Sequence, residues 1–198
     1  MPPEPERPSE IPKDNCPVLL DLNLDGFHLS GPSPAVRFDI DADGTPDQIA
    51  WTRAGDDDAF LCLDRNQNGI IDDGTELFGY ATPLLSGQPA HIGYRALAEL
   101  DWPEMGGNED WKVDARDVMF RSLCVWNDKN RDGVSQAGEI QSAEAAGVVS
   151  LDYVFHETGL RDSFGNLFRY GSHGEFRTRL GRVRPWLTYD VIFAEGAP

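Results

Sequence analysis

The sequence predicts an α+β protein in which a helix-loop-helix pair, EF-hand-like in its spacing, is embedded between β-rich N- and C-terminal segments. Three observations predict it. Apolar and polar residues alternate in period two before about residue 64 and again after residue 148, the pattern of half-buried strands. Between them, apolar residues recur at helical spacing. Within that middle stretch lies Asp128–Glu139, an acidic loop with the residue order of a calcium loop.

The elements follow in order. Residues 1–13 carry Pro2, Pro3, Pro5, Pro8 and Pro12 among charged residues and read as a tail or linker. Residues 14–196 form a single module, since 198 residues with 40% hydrophobic content can bury one medium core. In the β-rich part, 17–80, Val36, Phe38 and Ile40 alternate with Arg37 and Asp39, and Ile49 and Trp51 flank Ala50. The helical part spans 92–147. Tyr94, Leu97, Ala98 and Leu100 mark a first helix. Val118, Met119, Phe120, Leu123, Cys124 and Trp126 mark a second, with Asp114 as its N-cap. A third runs from about Ala137 to Ala146 and stops at Gly147. A β-meander over 148–194 closes the module: Leu151, Tyr153 and Phe155 alternate with Asp152 and His156, and Leu187, Tyr189, Val191 and Phe193 with Thr188 and Asp190.

Charge narrows the function. The formal net charge is −17, which repels nucleic acid and anionic membrane surfaces, so neither is expected as a partner. No stretch reaches the roughly 18 apolar residues of a membrane span, and the first fifteen residues hold no signal-peptide core. The carboxylate surplus strains a compact state by self-repulsion, which points to a bound cation. Cys16, Cys62 and Cys124 are widely separated without a CxxC, so neither zinc nor a disulfide framework is suggested; Cys62 and Cys124 read as small core residues.

The loop at 128–139 fits D-x-[DN]-x-[DN]-G-x5-E at every fixed position. Calcium (Ca2+) takes six to eight oxygens, and alternate side chains of a tight loop can supply them. Asp128, Asn130 and Asp132 are the expected first ligands, followed by the carbonyl of Val134, then Gln136, and Glu139 closing the shell. Three upstream segments repeat the opening half. Asp21, Asn23 and Asp25 precede Gly26, but position twelve is Pro32, so a closing ligand must come from elsewhere. Asp39, Asp41 and Asp43 precede Gly44, with Thr45 at seven and Asp47 at nine. Asp64, Asn66 and Asn68 precede Gly69, with Ile70 at seven, Asp72 at nine, and Glu76 at thirteen rather than twelve. The alternative for each upstream segment is a plain Asx turn. A fifth segment is broken. Counting back from Asp117 as position twelve, Asn108 and Asp110 fall on three and five, but Gly106 and Trp111 fall on one and six; an insertion displaces Asp101, and the expectation is a structural partner.

The strings CPVLLDLNLDG, VRFDIDADG, LDRNQNGIIDDGTELFG, GYRALAELD, DARDVMFRSLCVWNDKNRDGVSQAGEI and GVVSLDY resemble the calcium-responsive module of large secreted RTX-type bacterial proteins, whose relatives include the self-processing module of the iron-regulated RTX proteins. The resemblance covers roughly residues 17 to 155. It implies secretion, folding on calcium and, in self-processing members, cleavage of an Asp-Pro bond at the start of the module. Here Cys16 precedes Pro17, and no Asp-Pro dipeptide occurs. A calcium-stabilised module of a secreted or cell-surface bacterial protein is therefore expected, with self-processing and an adhesion or protein-interaction domain as alternatives. A protein or host-surface partner is compatible with either. No catalytic constellation is expected, because His28, His91, His156 and His173 fall in no HExxH and no GxSxG or P-loop occurs.

Overall fold

The computed structural model describes residues 16–136 and 138–196. The proline-rich segment 1–13, and Ala137 at which the sequence places the start of its third helix, lie outside the described residues. The strands in chain order are β1 (Val18–Asp21), β2 (Val36–Phe38), β3 (Asp47–Ile49), β4 (Asp58–Cys62), β5 (Lys112–Asp114), β6 (Cys124–Trp126), β7 (Ile140–Ser142), β8 (Val148–Asp152), β9 (His156–Arg161), β10 (Leu167–Arg177) and β11 (Val183–Ile192). Two helices join them, α1 (Gly93–Glu99) and α2 (Ala143–Ala146).

Nine strands make one curled antiparallel sheet in the order β5-β8-β10-β11-β1-β4-β6-β7, with β9 alongside β10, while β2 and β3 form a separate hairpin. The central strands β1, β4 and β6 are buried along their whole length. Both faces of these strands are covered, and for that reason they read as continuous apolar runs. Alternation sends Val18, Leu20, Ala59, Leu61 and Val125 into one core with Tyr94 and Leu97 of α1. It sends Leu19, Phe60, Cys62, Cys124 and Trp126 into a second core beneath the β2–β3 hairpin. Trp51 anchors that second core, its ring 4.4 Å from Phe60 and 5.5 Å from Phe193.

The expected helix-loop-helix pair is overturned: the protein is mostly β, and among the described residues only α1 reaches seven residues. The first expected helix forms as α1. The second does not. Asp114, expected as its N-cap, ends β5; Val118–Ser122 makes a 3-10 turn, and Cys124–Trp126 becomes β6. The reason is burial on two sides. Val125 faces one core and Trp126 the other, which a strand's alternation satisfies and a single helical face cannot. The third shrinks to β7 and the four-residue α2, capped by Ser142 and ending at Gly147 as the sequence predicts. The expected alternation in β11 is inverted over 187–190, while Val191 is buried as expected. Thr188 and Asp190, the expected outward positions, are fully buried, while Leu187 is 43% exposed. The Thr188 hydroxyl hydrogen-bonds the Tyr94 hydroxyl at 2.9 Å, and Asp190 accepts from the Gly93 N–H at 3.0 Å, fastening α1 to the sheet.

Candidate metal-binding loops

Each of the four motif loops folds on one frame. The first carboxylate turns back into the loop, and its second oxygen accepts the N–H of the glycine at position six: Gly26 to Asp21 at 2.8 Å, Gly44 to Asp39 at 2.9 Å, Gly69 to Asp64 at 2.9 Å and Gly133 to Asp128 at 2.9 Å. The side-chain oxygen at position three accepts the N–H at five in all four, from Asn23 through Asp41 and Asn66 to Asn130. Position four is left-handed in all four, at Leu24, Ala42, Gln67 and Arg131. That conformation is uncommon for non-glycine residues and here belongs to the shared frame. At Gly133 the frame leaves no choice of residue, since φ is +73° and a Cβ would sit 2.6 Å from the Arg37 carbonyl oxygen.

The 128–139 loop gathers its expected side chains. Asn130 donates to Asp132 at 2.9 Å and to Gln136 at 3.2 Å, and Gln136 donates to Asp132 at 2.6 Å. Glu139 clasps the loop, accepting the Lys129 N–H at 3.1 Å and the Gln136 N–H at 3.2 Å. Burial raises the Asp128 carboxyl above its ordinary range against four opposing hydrogen bonds. The Val134 carbonyl lies in the turn that follows, where the Val134 N–H donates to Asp132 at 2.9 Å.

The 64–76 loop repeats this arrangement. Asn66 and Asn68 both donate to Asp72 at 2.8 Å, and the Ile70 N–H donates to Asn68 at 2.9 Å. Glu76, one residue late in the motif, still makes the clasp: it accepts the Arg65 N–H and the Asp72 N–H, each at 2.9 Å. The loops at 64–76 and 128–139 meet at position eight of each, where the Ile71 N–H donates to the Ser135 hydroxyl at 2.6 Å. The partner of the 128–139 loop is therefore the 64–76 loop.

In the 39–47 loop Asp39, Asp41 and Asp43 each place one ligand atom within 4.8 Å of the others. The Thr45 N–H donates to Asp43 at 2.9 Å, and Asp47 accepts the Ile40 N–H at 3.3 Å. Burial first, then Asp41, raises the Asp47 carboxyl. The 21–26 loop gains what the motif lacks from the residue just before β4: Asp57 converges with Asp21 and Asp25 within 4.8 Å, and Asn23 donates to Asp57 at 2.6 Å. Asp57 belongs to the run Asp56-Asp57-Asp58 after Gly55, which by its residues alone reads as an exposed acidic loop, with calcium coordination the alternative. The missing acid at Pro32 was the available signal that a remote carboxylate was needed. Its neighbour Asp58 is buried, accepts the His28 N–H at 2.6 Å, and is pushed up to about 7 by burial and then by Asp21, Asp57 and Asp56 against that bond.

The broken fifth segment keeps the frame by another route. Asp101 reaches across the insertion and accepts the N–H groups of Asn108, Glu109 and Trp111 at 3.1, 2.8 and 2.9 Å. Glu109 and Trp111 are left-handed at positions four and six. Asp117 clasps Asn108 and Asp114 at 3.2 and 2.7 Å. Here the Arg116 guanidinium pairs with both Asp110 and Asp114, positions five and nine, and holds Asp114 below the usual carboxylate range. A fixed cation of the chain thus stands beside positions five and nine of this segment.

The donor set of the four motif loops is all oxygen, without a thiolate and with His28 only at the edge, beside Asp25 and Asp56 at 3.5 and 3.4 Å. Such a set suits a hard cation rather than zinc. Among the described residues, no helix is long and apolar enough to cross a membrane.

Comparison with known proteins places the chain in a family. Residues 18–194 match the SPM domain. Over 160 residues, 79% of this chain, it is 40% identical to the iron-regulated protein FrpA of Neisseria meningitidis serogroup C. The matched part spans 14% of that protein's length.

Proposed function

The chain belongs to the SPM domain family, and from that premise we propose that it is a calcium-binding, calcium-stabilised module of a secreted or cell-surface bacterial protein. The likeness to FrpA makes it an RTX-related module of a bacterial protein. The observation that carries the calcium reading is the common frame: four loops, far apart in sequence, each fix a position-one carboxylate on the N–H of position six, and at 21–26 and 39–47 three carboxylates converge within 4.8 Å. Ligands would come from Asp128, Asn130, Asp132, Val134, Gln136 and Glu139; from Asp64, Asn66, Asn68, Ile70, Asp72 and Glu76; from Asp39, Asp41, Asp43, Thr45 and Asp47; and from Asp21, Asn23 and Asp25 joined by Asp57. The segment 101–117 would serve a structural role without an ion, its charge met by Arg116.

The physical logic is linkage. Carboxylates gathered on folding repel one another at a net charge of −17, and a divalent cation that binds only the folded arrangement adds its binding free energy to folding. The self-processing alternative lacks its carboxylate. Cys16 stands before Pro17, buried, with its thiol directed at the His91 carbonyl oxygen 3.6 Å away.

The test is a thermal melt of the purified chain in excess chelator and in millimolar calcium, followed by a denaturing gel. A large upward shift in melting temperature with one intact band is expected. An unchanged melting temperature would overturn the calcium reading, and two bands would replace it with self-processing.

A further inference from the structure

Cys62 and Cys124 are directly opposed across β4 and β6, and their Sγ atoms lie 2.8 Å apart, one thiol donating to the other. Cys62 is sealed in the second core and Cys124 is 8% exposed. As a hydrogen bond the contact contributes little, because a thiol is a weak donor and a weak acceptor. As a covalent geometry it is nearly complete. Directly opposed residues of an antiparallel pair have Cβ atoms about 4.5–5.5 Å apart, and a disulfide needs about 3.5–4.5 Å, so a small closure of the two strands suffices. The third cysteine is engaged elsewhere, at the His91 carbonyl.

We propose that Cys62 and Cys124 form a redox site, closing to a disulfide that joins β4 to β6 when the chain meets a low-molecular-weight disulfide such as glutathione disulfide. In the first step the Cys124 thiolate attacks one sulfur of glutathione disulfide, breaking its S–S bond and expelling one glutathione thiolate, which takes up the Cys124 proton. In the second, Cys62 gives up its proton and attacks the Cys124 sulfur of the mixed disulfide, expelling the second glutathione. Two protein thiols are oxidised by two electrons, and one glutathione disulfide is reduced to two glutathione thiols. The order follows from the surroundings. Cys124 keeps a little exposed surface while Cys62 has none, so a dissolved disulfide reaches Cys124 first and Cys62 resolves.

The bond would sit at the roots of two loops, with Cys62 two residues before Asp64 and Cys124 four before Asp128. Its effect on those loops as calcium sites rests on the function proposed above; the disulfide itself does not.

The experiment folds the reduced, full chain in millimolar calcium with a glutathione and glutathione disulfide mixture, then blocks free thiols with an alkylating reagent. Intact mass and peptide mapping follow. Expected are one alkylated cysteine, a mass lower by two hydrogens before alkylation, and a peptide linking Cys62 to Cys124. A rise in melting temperature of about 5–10 °C over the reduced chain is also expected, reversed by dithiothreitol. Cys16→Ser should leave no alkylated cysteine. Three alkylated cysteines, a link through Cys16, or a glutathione adduct that never resolves would each overturn the proposal. A parallel melt without oxidant in chelator and in calcium reads the calcium proposal separately, since that outcome involves no thiol chemistry.

Discussion

Trp51 donates its indole N–H to Oδ2 of Asp128 at 2.8 Å, joining residues 77 apart in sequence. The same ring lies at the centre of the second core, against Phe38, Phe60, Trp126 and Phe193. The first acid of the 128–139 loop is thereby fixed to the aromatic centre of the second core. Replacing Trp51 by Phe keeps an apolar ring and removes the donor to a buried carboxylate, a loss of about 1.5–3 kcal/mol. Denaturant unfolding in chelator should record it, and calcium titration should show weaker binding with the change confined to one class of sites.

Ser135 links the two best-formed loops, accepting from the Ile71 N–H at 2.6 Å. Ser135→Ala leaves that buried N–H without its partner, a cost of about 1–3 kcal/mol. If the loops communicate through this bond, the calcium isotherm of the variant should be less steep than that of the parent; an isotherm of equal steepness would show that they load independently.

Gly74 lies two residues before Glu76. A Cβ there would lie 1.9 Å from the Ile40 carbonyl oxygen, and the Gly74 N–H donates to the Asp39 carbonyl at 2.8 Å. Gly74→Ala must therefore push the 39–47 and 64–76 loops apart. A destabilisation of about 1–3 kcal/mol or more is expected by denaturant unfolding.

Acid should stabilise the calcium-free chain. Burial raises Asp58 to about 7 and lifts Asp47, Asp57, Asp117 and Asp128 in the same direction. A carboxyl whose folded value exceeds its unfolded value of about 4 binds its proton more tightly when folded, so protonation favours the native state. Stability in chelator should rise as pH falls from about 8 towards 5, whereas Asp114, held low by Arg116, contributes the opposite slope only at more acidic pH. Melts across that range check the sign. Asp58→Asn should flatten the curve near pH 7.

Arg116 meets the acids of the 101–117 segment. Arg116→Ala should lower the melting temperature in chelator, and millimolar calcium should recover more of that loss than millimolar magnesium, which dehydrates less readily. Equal melting in parent and variant would mean that the segment does not need its guanidinium.

Much of the candidate site was legible in sequence, because an Asp-x-Asx-x-Asx-Gly string specifies its own fold. The side chains accept N–H groups two to five residues on, so the turn of the loop at Asp39 is closed by local bonds. Asp57 was not legible, since it reaches Asn23 across 34 residues through the pairing of β1 with β4. Asp101 was half legible: the insertion is visible, but that its carboxylate still reaches Trp111 follows only from the path of the chain.

The fold divides in the same way. The sequence by itself determined the turns of the acidic loops, the terminal strands and α1, all set by local turn chemistry or by clear periodicity. Only the tertiary structure decided that Cys124–Trp126 is a strand, that Thr188 and Asp190 point inward to hold α1, and that the 128–139 loop pairs with 64–76. Short segments covered on both faces carry no readable period, and whether a polar side chain faces water or a buried N–H depends on what the rest of the chain brings to it.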